Sequence, residues 1–132
     1  MAEYPHKELT HKIIGAAYKV GNSLGPHIRE TYVQRAIAAE FDQLGIAYAR
    51  EFTVDLCYAG KKIGEDRLDF IVDGKVVVEI KVVPELKNVH LRQVLEYLRV
   101  TNMQIALLIF FTPNGVRIRR IVYPDRSKKP FV

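Results

Sequence analysis

The chain reads as an α/β protein in one domain, a mixed β-sheet flanked by helices. Three observations predict this. Helical and strand-like periodicities follow each other in the order helix, helix, strand, strand, strand, helix, strand, strand. Two of the strands, Leu68–Val72 and Lys75–Lys81, are separated by so short a turn that they must pair antiparallel. A helix then precedes Ile105–Phe111, a continuous apolar run that suits a central strand buried on both faces. A hairpin followed by a helical crossover to such a strand makes the sheet mixed.

The elements follow in order. Over residues 8–22, Leu9, Ile13, Ile14, Ala17 and Val20 recur at helical spacing, and Gly21-Asn22 with Gly25-Pro26 punctuate the end. A second helix spans 28–44, with Tyr32, Val33, Ala36, Ile37 and Phe41 as its apolar stripe and Gly45 as its stop. From Ala47 to Tyr58, Phe52, Val54 and Leu56 alternate with Glu51, Thr53 and Asp55, a strand pattern. Ala59-Gly60-Lys61-Lys62 turns the chain toward the hairpin, and Pro84 ends the hairpin's second strand. Asn88 suits the N-cap of a helix over 89–101, whose apolar positions are Leu91, Val94, Leu95 and Leu98. Pro113-Asn114-Gly115 turns the apolar strand into a last one over 116–122, leaving 124–132 as a loose basic tail beyond a core of about 8–123.

Composition bounds the function. At 132 residues the chain is long enough for a real core. No apolar run approaches the roughly 20 residues of a membrane span, and the first residues lack the apolar stretch of a signal peptide. Cys57 is the only cysteine, which excludes a disulfide framework and suits a reducing, cytoplasmic setting. The net charge is +5, and the excess lies in 112–132, where Arg117, Arg119, Arg120, Arg126, Lys128 and Lys129 face Asp125 alone. A basic end suits a polyanion, but on charge alone a solvated, solubilising tail is the simpler reading. No Gly-rich phosphate loop is present.

The chemistry concentrates in the hairpin. Glu79 and Lys81 are two apart in one strand, so they share a face. A two-residue Asp73-Gly74 loop would set Asp69 opposite Val78 and turn it away from Glu79. A three-residue loop, Val72-Asp73-Gly74, sets Ile71 opposite Lys75 and Asp69 opposite Val77. Asp69, Glu79 and Lys81 then share a face, and Leu68, Phe70, Val76, Val78 and Ile80 gather on the other. The apolar pattern selects this register. Two carboxylates and an ammonium on an apolar hairpin are unfavourable unless they bind something. A divalent cation and a phosphate suit them; a structural ion-pair cluster is the plainer alternative.

With Asp69, Glu79-Ile80-Lys81 and a following helix bearing Gln93 and Tyr97, the chain resembles the PD-(D/E)XK nuclease superfamily, in its RecB-type QxxxY variant. More closely, residues 9–122 are similar to the small prokaryotic GxxExxY proteins of that superfamily. The likeness rests on Leu24-Gly25-Pro26 with Glu30-Thr31-Tyr32, on Val78–Val82, on Val89-His90 with Gln93 and Tyr97, and on Val116–Val122. It implies a restriction-endonuclease-like fold and metal-dependent phosphodiester hydrolysis, of DNA more than RNA. It further implies Mg²⁺ or Mn²⁺ on Asp69, Glu79, the Ile80 main-chain carbonyl and Glu30, with Lys81 as the catalytic amine. Gln93, Tyr97 and His90 share one helix stripe that could meet nucleic acid, and Arg117 and Arg119 could meet its backbone. A charge-guarded edge strand explains the two arginines equally well. A silent nucleic-acid-binding module and an oligomeric interaction protein are the rival functions, and a homodimer is compatible with any of the three.

Overall fold

The computed structural model describes residues 5–123. Helix α1 (Lys7–Leu24) buries Thr10, Ile13, Ala16, Ala17 and Val20 along one stripe. It runs through Gly21-Asn22, where the sequence suggested an end, and stops at Gly25 (φ 72°), whose N–H reaches the Gly21 carbonyl. Gly21 belongs to packing instead: a Cβ there would collide with the Val116 side chain. Helix α2 (Glu30–Leu44) starts two residues later than the periodicity suggests and closes at Gly45 in the left-handed region. The Gly45 and Ile46 N–H groups bond the Asp42 and Phe41 carbonyls at 3.2 and 3.0 Å, a Schellman closure.

Strands β1 (Tyr48–Tyr58), β2 (Lys61–Val72), β3 (Val76–Val82), β4 (Ile105–Thr112) and β5 (Gly115–Val122) form one sheet in sequential order. The β3–β4 pair is parallel, bridged by α3 (Asn88–Thr101), and the other pairs are antiparallel. Lys87, not Asn88, is the N-cap of α3. Its N–H is taken by Nδ1 of His90 at 3.0 Å, which satisfies an end that Asn88 was expected to hold.

Helices α1 and α2 cover one face of the sheet and α3 the other. The first core gathers Ile13, Val33, Ile37 and Phe41 with Phe70, Val78, Ile80, Ile105, Leu107 and Ile109. Phe41, Phe70 and Tyr48 meet there with ring centroids 5.5–5.8 Å apart. Aromatic pairs of this kind add roughly 0.5–1.5 kcal/mol each beyond burial. The second core sets Val94, Tyr97 and Leu98 of α3 against Leu68, Ile71, Val77, Ala106 and Leu108. Alternate residues of β3 and β4 therefore enter opposite cores, which is why both strands read as unbroken apolar runs.

The hairpin turn lies one residue later than expected. Val72 pairs with Val76, Ile71 with Val77 and Phe70 with Val78, so the turn is Asp73-Gly74-Lys75. The Lys75 N–H closes it on the Val72 carbonyl at 2.9 Å, with Asp73 and Gly74 both at positive φ. Relative to the expected loop the strands slide by two residues, which preserves every face. It sets Asp69 level with Glu79 rather than Val77. Leu68 is the exception: it lies in the α3-side core, not with Phe70. The tail over 124–132 lies outside the described residues.

Candidate active site

The site is built where β2 and β3 part. Their backbone pairing covers only Phe70–Val72 against Val76–Val78. At the next rung, side chains replace backbone. The Asp69 N–H donates to Glu79 Oε1 at 2.8 Å, and the Ile80 N–H donates to Asp69 Oδ2 at 2.8 Å. Each carboxylate thus satisfies an amide of the opposite strand and is drawn into the gap between the strands. Glu30, at the start of α2, accepts the Val82 N–H at 3.3 Å and closes the gap from the helix side.

Burial makes this pair electrostatically unfavourable. Glu79 is 1% exposed. Desolvation, and then the charge of Asp69, push its carboxyl up to about 9, while the amide bond from Asp69 and the Lys81 ammonium pull the other way. Asp69 is also raised, chiefly by burial and further by Glu30, against the Ile80 N–H and Lys81. The two carboxyl groups hydrogen-bond each other, so at neutral pH one proton sits between them, held by Glu79. Lys81 lies near enough for its charge to act on both acids, and it is half-buried.

A hard divalent cation takes oxygen ligands, and a proton shared by buried Glu79 and half-buried Asp69 marks a place where such an ion fits. Asp69 and Glu79 supply that donor pair. Among the described residues, however, no three His, Cys, Asp or Glu side chains stand together as a ligand group. Glu30 is near enough for its charge to bear on Asp69, and its carboxylate is held at the Val82 amide.

The remaining expected residues divide. Gln93 is exposed on α3. His90 Nδ1 is committed to the first turn of α3. Tyr97 is 4% exposed, its ring packed in the α3-side core, so it offers no open face for a stacking base. Burial and then the charges of Glu79, Asp66, Asp69 and Glu96 push its hydroxyl pKa up, which places it beside the acids. Arg117 and Arg119 are exposed on β5. Their register is informative: Lys81 pairs with Phe110 and Phe110 with Arg117, while Glu79 pairs with Leu108 and Leu108 with Arg119. The arginines therefore lie in the rows of Lys81 and Glu79, two strands or about 10 Å away.

Two acids escaped the sequence reading. Burial, and then the neighbouring Glu96 of α3, lift Asp66 to about 6, and Asp66 Oδ2 is enclosed without a hydrogen bond. Glu96, between Gln93 and Tyr97 on α3, was the available signal, but Asp66 precedes the strand that the sequence pattern begins at Leu68, whereas β2 extends from Lys61.

The sheet order, the parallel β3–β4 pair crossed over by α3, and helices on both faces define a restriction-endonuclease-like α/β fold. The chain belongs to the PD-(D/E)XK nuclease superfamily, whose family model matches residues 7–121. Two solved structures share the fold. The protein described as SSO0001 superposes with a TM-score of 0.57 at 19% identity, over 92% of this chain and 60% of its own. An alkaline exonuclease, LHK-Exo from Laribacter hongkongensis, superposes at 0.54 with 15% identity, over 96% of this chain and 74% of its own. The chain thus spans about 60% of the length of SSO0001, and at these identities the likeness is one of fold. No curated protein matches the sequence. No helix among the described residues is long and apolar enough to cross a membrane.

Proposed function

We propose that this chain is a metal-dependent nuclease that hydrolyses phosphodiester bonds, with DNA as the favoured polymer. The observation that carries the reading is the strand fork. Across it the Asp69 N–H donates to the Glu79 carboxyl group and the Ile80 N–H donates to that of Asp69, the two carboxyl groups share a proton, and the Lys81 ammonium lies alongside. Asp69, Glu79, the Ile80 carbonyl and Glu30 would hold Mg²⁺ or Mn²⁺. Such an ion supplies Lewis acidity to the phosphate and to the attacking water. Lys81 contributes a fixed positive charge where negative charge develops, and steadies the water by hydrogen bonding.

Nucleic acid is read as crossing the sheet from the fork toward β5. Arg119 and Arg117 share rows with Glu79 and Lys81, so they suit phosphates flanking the one being cut. Gln93, exposed on α3, suits a further phosphate contact. His90 and Tyr97 serve by shaping the helix end and the wall of the site. The GxxExxY likeness, the exonuclease among the fold neighbours, a cytoplasmic setting and assembly as a homodimer are consistent with this reading. A silent binding module on the same fold is the rival reading.

Plasmid and oligonucleotide cleavage, with calorimetric Mn²⁺ titration of the same preparations, separates the two. Asp69→Ala is expected to lose both metal binding and cleavage. Lys81→Met is expected to bind Mn²⁺ and to cut on the order of 10²–10³-fold more slowly. Wild-type protein that binds DNA without Mn²⁺ and cuts nothing makes the chain the silent module.

A further inference from the structure

We infer that Glu51, on the strand beyond Asp69, is a positioning residue that turns Asp69 into the fork through the backbone. The inference rests on the nuclease reading. In the β1–β2 ladder Arg50 pairs with Phe70 and Phe52 with Leu68, and the intervening rung, Glu51 against Asp69, drops out. Glu51 has φ 50°, in the left-handed region that a long side chain rarely adopts. Such outliers persist where the surrounding structure imposes them, and they cluster at functional sites.

Both strands change face at that rung. On one side of it, Phe70 lies in the α1/α2 core with the Arg50 guanidinium 5.5 Å over its ring. On the other side, Leu68 lies in the α3-side core. Phe52 lines a cavity of about 580 Å³ with Val54, Ile71 and Met103, also on the α3 side. Residues two apart in a regular strand share a face, so Arg50/Phe52 and Phe70/Leu68 break the rule together.

Two consequences reach the site. Asp69 lies at the pivot, and its carboxylate points across to the Ile80 amide instead of standing perpendicular to the sheet. Asp66, two residues beyond Leu68, arrives on the α3 side beside Glu96 and Tyr97. The Glu51 carboxylate bonds Arg67 at 2.7 Å, next to the pivot. Exposed as it is, that ion pair adds little energy, so the backbone conformation at Glu51 carries the effect.

The test compares Glu51→Gly, which accepts the left-handed backbone freely, with Glu51→Val, which resists it. The first readout is amide exchange of Ile80 in metal-free protein, which reports the bond to Asp69. Glu51→Val is expected to speed that exchange tenfold or more while β4 amides such as Leu107 keep their protection; Glu51→Gly is expected to stay within threefold of wild type. The second readout is Mn²⁺ affinity, expected to fall at least tenfold in Glu51→Val and to be retained in Glu51→Gly. If Glu51→Val fails to fold, Glu51→Thr, also β-branched, is measured in its place with the same expectations. Ile80 protection unchanged in the disfavoured variant, or lost equally in Glu51→Gly, overturns the inference. Wild-type protein that binds no Mn²⁺ removes the metal reading alone, because the exchange readout still judges Glu51.

Discussion

Replacing Glu79 with Gln in metal-free protein is expected to stabilise it. Glu79 is 1% exposed and its carboxyl is pushed from 4.5 to about 9 by burial and by Asp69. A raised folded-state value means that the stabilising contribution is fully present below the unfolded value. It is lost as pH rises toward the folded one. At about pH 7.5 roughly three pH units of that loss have accumulated, or about 4 kcal/mol at ~1.36 kcal/mol per unit. Relaxation around the shared proton recovers part of it, so a gain on the order of 2–4 kcal/mol is expected for Glu79→Gln. The amide keeps the bonds: its oxygen accepts the Asp69 N–H, and its NH₂ replaces the shared proton. Urea unfolding in EDTA across about pH 4–9 measures the difference, and at roughly 4 °C per kcal/mol thermal melts report it as well. The gap is expected to close below about pH 4.5, where wild type is protonated in both states. Mn²⁺ at about a thousandfold excess over Kd is expected to cancel the difference, since wild type then gains about 4.1 kcal/mol. A Glu79→Gln protein less stable than wild type at about pH 8 in EDTA refutes the account of the fork as an electrostatically unfavourable pair.

Two further outcomes are expected. Gly21→Ala places a Cβ against the Val116 and Phe111 side chains, and α1 must shift off β5, a loss of about 1–3 kcal/mol readable in chemical denaturation. The double change Arg117→Ala with Arg119→Ala removes the two proposed phosphate contacts in the rows of Lys81 and Glu79. It is expected to flatten the salt dependence of DNA affinity by about two contacts' worth while Mn²⁺ affinity stays at the wild-type value; an unchanged slope removes the arginines from the interface.

The hairpin shows how far local pattern reaches. Strand periodicity is two, so the apolar residues of β2 and β3 select a parity of register but not the register itself. That parity was legible, and it put Asp69 and Glu79 together even though the turn lies at Asp73-Gly74-Lys75 instead of Val72-Asp73-Gly74. Likewise the stripe of Ile13, Ala17 and Val20 and the run Ile105–Phe111 announced which surfaces would be buried. Gly21 was misread as punctuation because a glycine that ends a helix and one that lets a strand approach look alike in sequence.

What the sequence determined by itself was the order of elements, most of the faces they bury, and the gathering of two acids and a lysine on one face of a hairpin. Tertiary structure alone decided the rest. The face reversal at Glu51 and Asp69, the meeting of Asp66 with Glu96, and the burial of Tyr97 depend on partners far apart along the chain. Sequence pattern reports the period of one element, whereas these features arise where β2 must serve β1 and β3 at once. At that rung the backbone leaves its ladder, and side-chain carboxylates take the amides the ladder gives up.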